Sequence, residues 1–311
     1  EKQFLQINFS ELNEKGIKYF KDMMFLTNTN ENPTSSKVFF LDAKTEGVCI
    51  TVNDCDHYRI LVCKRGLSVL QAYQQAIEID TKIQKYVKTS VSQLFGYLNS
   101  SLEDCGFGLN VKLLLHSPFL TDGMIVKSVR GKFFNALKIE SYYKNVPLAI
   151  GKLCLVSLKN PASLETDFHT SARKFYGEKI SEIEENYRQF LFLTHPTIQK
   201  HDSYKALSVL KGSLLLNEID ACSTILSIKN GLESGLFGFE EKKIPKIKKS
   251  DGKNLNILPL LYYIKDSFIN SKIETDKLQL SEFGEELSDF GKACRLRSLI
   301  LQDFFSDIEV L

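Results

Sequence analysis

The stretch GVCITVNDCDHYRILVC, Gly47–Cys63, decides the fold class. VCITV and YRILV are rich in β-branched and aromatic side chains, which suit a pleated surface. Between them, NDCD (53–56) is turn chemistry, because Asn and Asp bond their own backbone and tolerate left-handed conformations. The whole reads as a β-hairpin, and so as the seed of an antiparallel sheet. KVFFLD (37–42) upstream supplies a third strand, and QFLQINF (3–9) alternates as a short fourth. Between these two, ELNEKGIKYFKDMMF carries apolar residues at helical spacing behind Ser10 as a candidate N-cap, and 28–36 is a loop by composition.

Downstream, 67–104 keeps helical steps through Val69, Tyr73, Ile77, Ile83, Val87, Val91, Leu94, Leu98 and Leu102. This predicts one long helix or two in series, ended near Gly106 and Gly108. Residues 110–115 and 123–129 read as strands, 132–139 as a short helix and 146–158 as one or two strands. After Pro161 strand-like runs give way to helical periodicity. Helices are predicted over 170–193, stopped by His195-Pro196, and over 203–230, stopped at Asn230-Gly231; further apolar segments cover 258–269 and 281–309. The expected fold is α+β: a mixed or antiparallel sheet with a long helix in the N-terminal half, then a mostly α-helical C-terminal half. The expected boundary near Pro161 divides 1–160 from 161–311, with a Lys-rich connector at 240–254, and the two halves can pack as one unit.

The composition, 43% hydrophobic and 25% charged, supports a sizeable core and excludes global disorder. Net charge is +2, but its distribution is uneven. Residues 1–160 hold 20 Lys and Arg against 15 Asp and Glu, and the remainder holds 20 against 23. Seven cysteines at irregular spacings, most in apolar surroundings, read as reduced core residues in an intracellular, cytoplasmic protein rather than as a disulfide framework. EKQFLQINF does not read as a signal peptide, and no apolar run approaches the roughly 18 residues of a membrane span, so no membrane partner is expected.

Cys49, Cys55, His57 and Cys63 have the ligand types of a zinc site. On a hairpin, however, Cys49 and Cys63 lie on paired strands while Cys55 and His57 sit at the turn, so one metal cannot gather all four. Cys105 falls at a predicted helix C-terminus, where the dipole raises a thiol pKa. His116 and Asp122 flank a turn without a nucleophile beside them, and His169 and His195 lie near helix ends. The glycines of GLESGLFG (231–238) lack the order of a phosphate loop. No catalytic residue, metal or cofactor is therefore expected, and no stretch resembles a family specifically enough to name one.

What remains is charge. Lys127, Arg130, Lys132 and Lys138 occur with no acid between Gly123 and Ile139, and Phe133 and Phe134 are interleaved. Lys64 and Arg65 extend the patch, and Lys242, Lys243, Lys246, Lys248 and Lys249 surround Pro245 in a second cluster. Basic side chains attract phosphates, and aromatics stack on unpaired bases. The expectation is a non-catalytic, nucleic-acid-associated protein that contacts the phosphate backbone of DNA or RNA. The alternatives are a protein-interaction or scaffold module, with a protein or a second copy as partner, and an enzyme whose site is assembled from residues distant in sequence.

Overall fold

A computed structural model describes residues 4–26, 37–42, 47–54, 56–66, 68–100, 102, 105–106, 108–117, 137–141, 153–159, 180–239, 257–278, 280–282 and 285–310. The fold is α+β, with an antiparallel sheet of four strands. Strands β1 (Phe4–Asn8), β2 (Val38–Asp42), β3 (Val48–Val52) and β4 (Tyr58–Val62) lie in chain order, each antiparallel to the next. The hairpin read from Gly47–Cys63 is β3 and β4, and its turn carries Asn53 at φ 58°.

Register determines what each face carries. Ile7, Phe39, Thr51 and Arg59 form one row across the sheet, and Leu5, Leu41, Cys49 and Leu61 form the next. Directly opposite residues share a face, and so do residues two apart on a strand, so both rows look the same way. Helix α1 (Glu14–Asp22) covers that face. Phe20 packs with Phe9, Phe25, Phe39 and Cys49, and Phe20 and Phe39 have ring centroids 4.5 Å apart. The cap of α1 is Asn13, whose Oδ1 accepts from Gly16 N at 2.8 Å; Ser10 lies in the preceding 3-10 turn, Phe9–Glu11. Tyr58, Ile60 and Val62 point to the opposite face, where helix α2 (Val69–Gln84) meets Tyr58.

The periodicity predicted over 67–104 ends at Gln84. Thr89-Ser90-Val91-Ser92 consists of weak helix formers, and Gly96 sits at φ 68°, which a helix excludes. Val91–Ser92 (β5) and Gly96–Tyr97 (β6) pair instead as a small hairpin. A separate three-stranded sheet has the order β7 (Asn110–His116), β9 (Leu153–Lys159), β8 (Leu137–Ser141). Residues 137–139, expected to end a helix, are thus strand. The strand expected at 123–129 and the boundary at Pro161 lie outside the described residues.

By contacts the chain divides into two compact units. One comprises Glu1–Leu113, Val129–Ile139 and Leu155–Glu185. The other comprises Leu114–Ser128, Glu140–Cys154 and Asn186–Leu311. Helix α3 (Ile180–Thr194), whose residues from Asn186 onward belong to the second, runs into α4 (Pro196–Gly212), with Pro196 in the first turn of α4. The single helix predicted over 203–230 is two, because the chain breaks at 213–217. Asn217 then caps α5 (Glu218–Glu233) by accepting from Asp220 N at 2.9 Å. Next come β10 (Phe237–Phe239), α6 (Leu260–Tyr263), α7 (Asp266–Thr275), the short strands β11 (Ser281–Glu282) and β12 (Glu285–Glu286), α8 (Asp289–Phe304) and β13 (Ile308–Val310), which pairs with β10. Leu207 and Leu210 of α4, Cys222, Ile225 and Leu226 of α5, and Leu301 and Phe305 near the end of α8 share one core. Arg297 is fully buried beside it. Its Nε donates to Ile264 O at 2.7 Å, Nη1 donates to Leu216 O at 3.3 Å, and Nη2 pairs with Asp266. Lys265 and Glu218 pair at 2.8 Å alongside.

Gly231 does not stop α5. It sits inside the helix because a Cβ there would lie 2.4 Å from Cε2 of the buried Phe237 ring. Gly231→Ala would normally gain up to about 1 kcal/mol of helix propensity. Overpacking against the ring costs more, and a net loss of about 1–3 kcal/mol is expected, read as a lower urea midpoint with an unchanged slope. Among the described residues, no helix is long and apolar enough to cross a membrane.

Candidate active site

The turn between β3 and β4 gathers a set of charged and polar contacts. Asn53 N donates to His57 O at 3.0 Å and closes the turn. The Asp54 side chain, 3% exposed, folds back onto the α1 face, with Oδ1 3.1 Å from Lys37 Nζ and Oδ2 3.7 Å from Arg59 Nη2. Arg59 lies on that face because of the register, beside Thr51. Its Nε donates to Thr51 Oγ1 at 3.3 Å, and its Nη2 donates to the carbonyl of Phe25 beyond α1. The guanidinium is thus gripped on three sides while its side chain stays 30% exposed. Lys37 Nζ stands 5.3 Å from the centroid of Phe9, a cation–π contact that helps a buried ammonium.

On the opposite face, Tyr58 OH donates to Asp80 Oδ1 of α2 at 2.8 Å. Gln84, one helical turn on, donates to Asp80 Oδ2 at 2.6 Å and to Tyr97 OH at 3.4 Å. Burial first, and Asp80 second, push the Tyr58 phenol well above its ordinary value, so it stays a protonated donor. At the tip, Asp56 Oδ1 accepts from Ser100 N at 2.7 Å and from the Ser100 hydroxyl. The segment containing Ser100 is anchored in turn by two backbone bonds between Tyr97 and Gly106, each 2.9 Å. Gly96 permits that approach, since a Cβ on it would sit 2.9 Å from Gly106 O.

Lys64 and Arg65 are exposed just past β4. Lys138 lies in β8. Lys127, Arg130, Lys132, Lys242, Lys243, Lys246, Lys248 and Lys249 lie outside the described residues. Of the zinc-type residues, Cys49 is buried in the aromatic core, where desolvation pushes its thiol up to about 12 and keeps it protonated. His57 is exposed in the turn, and Cys55 lies outside the described residues. Among the described residues, no group of three His, Cys, Asp or Glu side chains is arranged to hold a metal ion. Lys37, Arg59, Asp80 and Ser100 were not singled out from the sequence. What links them to the turn is strand register and helix placement, which no short spacing encodes.

Residues 2–160 match the family of ATP:guanido phosphotransferase C-terminal catalytic domains. That span encloses the hairpin turn and every residue that touches it. The chain belongs to this phosphotransferase family. Among its relatives are protein-arginine kinases of Clostridium kluyveri, 28% identical over 229 residues, and of Clostridium perfringens, 26% identical over the same length. The alignments cover 72% of this chain and 64% and 66% of those proteins, so the chain spans about two thirds of the length of these two relatives. Among solved structures, lombricine kinase superposes on 59% of this chain and 54% of its own length with TM-score 0.49 and 12% identity. A duplicated taurocyamine kinase from Schistosoma mansoni superposes on 55% of this chain and 25% of its own with TM-score 0.48 and 15% identity. Neither superposition is close enough to carry an argument.

The family match and the kinase relatives overturn the expectation of a nucleic-acid-associated, non-catalytic protein, and with it the scaffold alternative. The physical reason is that basic side chains answer to phosphate whatever carries it. An uneven count of lysines separates anionic from neutral ligands, but not a polynucleotide from a nucleotide or a protein surface.

Proposed function

We propose that the chain is a catalytic domain that transfers the γ-phosphoryl group of ATP to a guanidino nitrogen, with arginine side chains of proteins as acceptors. In this reaction an N–P bond forms, the bond from the γ-phosphorus to the β,γ-bridging oxygen breaks, ADP leaves with the electron pair and the guanidinium gives up a proton. The observation that carries the reading is the family match across residues 2–160, and the protein-arginine kinase relatives favour a protein acceptor. The hairpin turn has the chemistry required. Phosphoryl transfer depends on positioned cations that meet charge on the transferring group. Arg59 is such a cation, oriented in advance by Thr51, Asp54 and the Phe25 carbonyl. A guanidinium acceptor needs a carboxylate. Asp54 is occupied by Lys37 and Arg59, so we assign this role to Asp56 at the tip of the turn, whose Oδ1 also accepts from Ser100.

The test is incubation of the chain with γ-labelled ATP and an arginine-rich protein, beside free arginine. Acid-labile label on the protein is expected, with little on the free amino acid. Arg59→Lys keeps the charge but loses the planar fork, and should lower kcat/KM by about 10²–10³-fold, the range for removing one positioned donor. Label that survives acid, or a wild type that transfers none, would refute the proposal.

A further inference from the structure

The β3–β4 turn and the 97–106 segment belong to different parts of the sheet architecture, yet two separate sets of hydrogen bonds tie them together. The first tie is direct, from Asp56 to the amide and hydroxyl of Ser100. The second runs across α2, from Tyr58 through Asp80 and Gln84 to Tyr97. Tyr58 immediately precedes Arg59 and Tyr97 lies three residues before Ser100, so the second tie fixes the two segments that the first joins at their tips. Strand alternation puts Tyr58 and Arg59 on opposite faces. A pull on Tyr58 from α2 therefore sets the rotation of β4, and with it the direction in which Arg59 enters the turn.

The geometry points to Asp80 as a positioning residue: through Tyr58 on one side and Gln84 and Tyr97 on the other, it holds the Arg59 turn and the Ser100 segment in the mutual arrangement that phosphoryl transfer uses. The role rests on the reading of this turn as the phosphotransfer site. Asp80 does not touch the reacting atoms, and its effect is on orientation. A helix carboxylate needed only for solubility would face water. This one uses both oxygens, one on Tyr58 of β4 at 2.8 Å and one on Gln84 a turn along the same helix at 2.6 Å. Orientation errors are costly in catalysis because the near-attack arrangement is lost before binding is.

The test compares Tyr58→Phe, Asp80→Ala and Asp80→Asn in the full chain. Asp80→Asn keeps a carbonyl for Tyr58, and Gln84 can turn its amide to accept from the new NH2. Two readouts are taken on folded protein, with the folded fraction fixed by circular dichroism: amide hydrogen exchange at Asn53 and Ser100, and steady-state kinetics. Faster exchange at both amides is expected in Tyr58→Phe and Asp80→Ala, with kcat down about 10–100-fold, KM for ATP little changed, and Asp80→Asn near wild type. A double variant Tyr58→Phe/Asp80→Ala should be no worse than Asp80→Ala alone, because both act through one bond. Unchanged exchange at Asn53 and Ser100 in the two disruptive variants overturns the inference, whatever the activity. Faster exchange with undiminished kcat overturns it as well. A wild type without phosphotransfer would instead sink the functional reading, and the exchange arm would still decide whether Asp80 holds the two segments together.

Discussion

Arg297→Ala is expected to destabilise the second unit by about 3–5 kcal/mol, from two carbonyls that lose their donor and the cavity left behind. Arg297 is fully buried in α8, and it connects two places far apart in the chain: the Leu216 carbonyl before α5, and the α6–α7 junction through the Ile264 carbonyl and the Asp266 carboxylate. Truncation leaves two carbonyls without this donor and a cavity the size of a guanidinium with its stem. Each orphaned acceptor costs about 1–3 kcal/mol, so the hydrogen-bond loss alone accounts for most of the effect. Arg297→Lys restores charge but not the planar fork, and should recover less than half of the loss. Arg297→Met fills the volume and should do as well as lysine or better, since an apolar replacement removes the desolvation problem. Urea unfolding followed at amides of α5 and α8 measures all three. An alanine variant within about 1 kcal/mol of wild type would mean that water replaces the guanidinium at little cost.

Asp54→Asn is the second large effect, at about 3 kcal/mol in the first unit. Asp54 is the carboxylate shared by Lys37 and Arg59, and the Lys37 and Asp54 side chains are 5% and 3% exposed. The amide retains the shape and removes the charge, so two cations face each other across a neutral group in a poorly hydrated place. Lys37 keeps its contact with the Phe9 ring, and Arg59 keeps Thr51 and the Phe25 carbonyl, which places the loss at the lower end of the range for a broken pair. Unfolding followed at amides of β3 and β4 gives the magnitude. Asp54→Asn should also reduce phosphotransfer, because Arg59 loses the group that turns it. If stability falls and activity does not, Thr51 and the Phe25 carbonyl are enough to orient Arg59.

Much of the first unit could be read from its residues. VCITV, NDCD and YRILV carry alternation and turn chemistry at once, so local preference and tertiary pairing agree. Helical periodicity was less informative, because it carries no record of where a helix breaks. The apolar steps through Val91, Leu94 and Leu98 continue past Gln84, yet the β-branched and hydroxyl residues between them make a hairpin. In the second unit Leu214 and Leu215 hid the break before Asn217 in the same way. The site was less legible still. His57 has the ligand type of a metal site together with Cys49, Cys55 and Cys63, whereas Arg59, two residues from His57, is one basic residue inside a strand pattern. Its meaning depends on Lys37, Phe25 and Thr51, which pairing register and α1 bring to it from up to 34 residues away. The family match likewise extends over 159 residues.

The two units differ in when they can be completed during synthesis. In the first, every strand of the β1–β4 meander pairs with its immediate successor, so the sheet can close as soon as β4 has left the ribosome. The second core draws on Leu153, on α4 and α5, on Ile257 to Ile264, and finally on Leu301, Phe305 and Ile308. Its last wall arrives about 90 residues after α4, a delay of several seconds at ordinary elongation rates. For that interval the apolar faces of α4 and α5 lack Ile257 to Ile264 and the residues of α8 that complete the core. The nascent chain carries a finished sheet and an open helical pair, and the open pair is the part that a chaperone would meet.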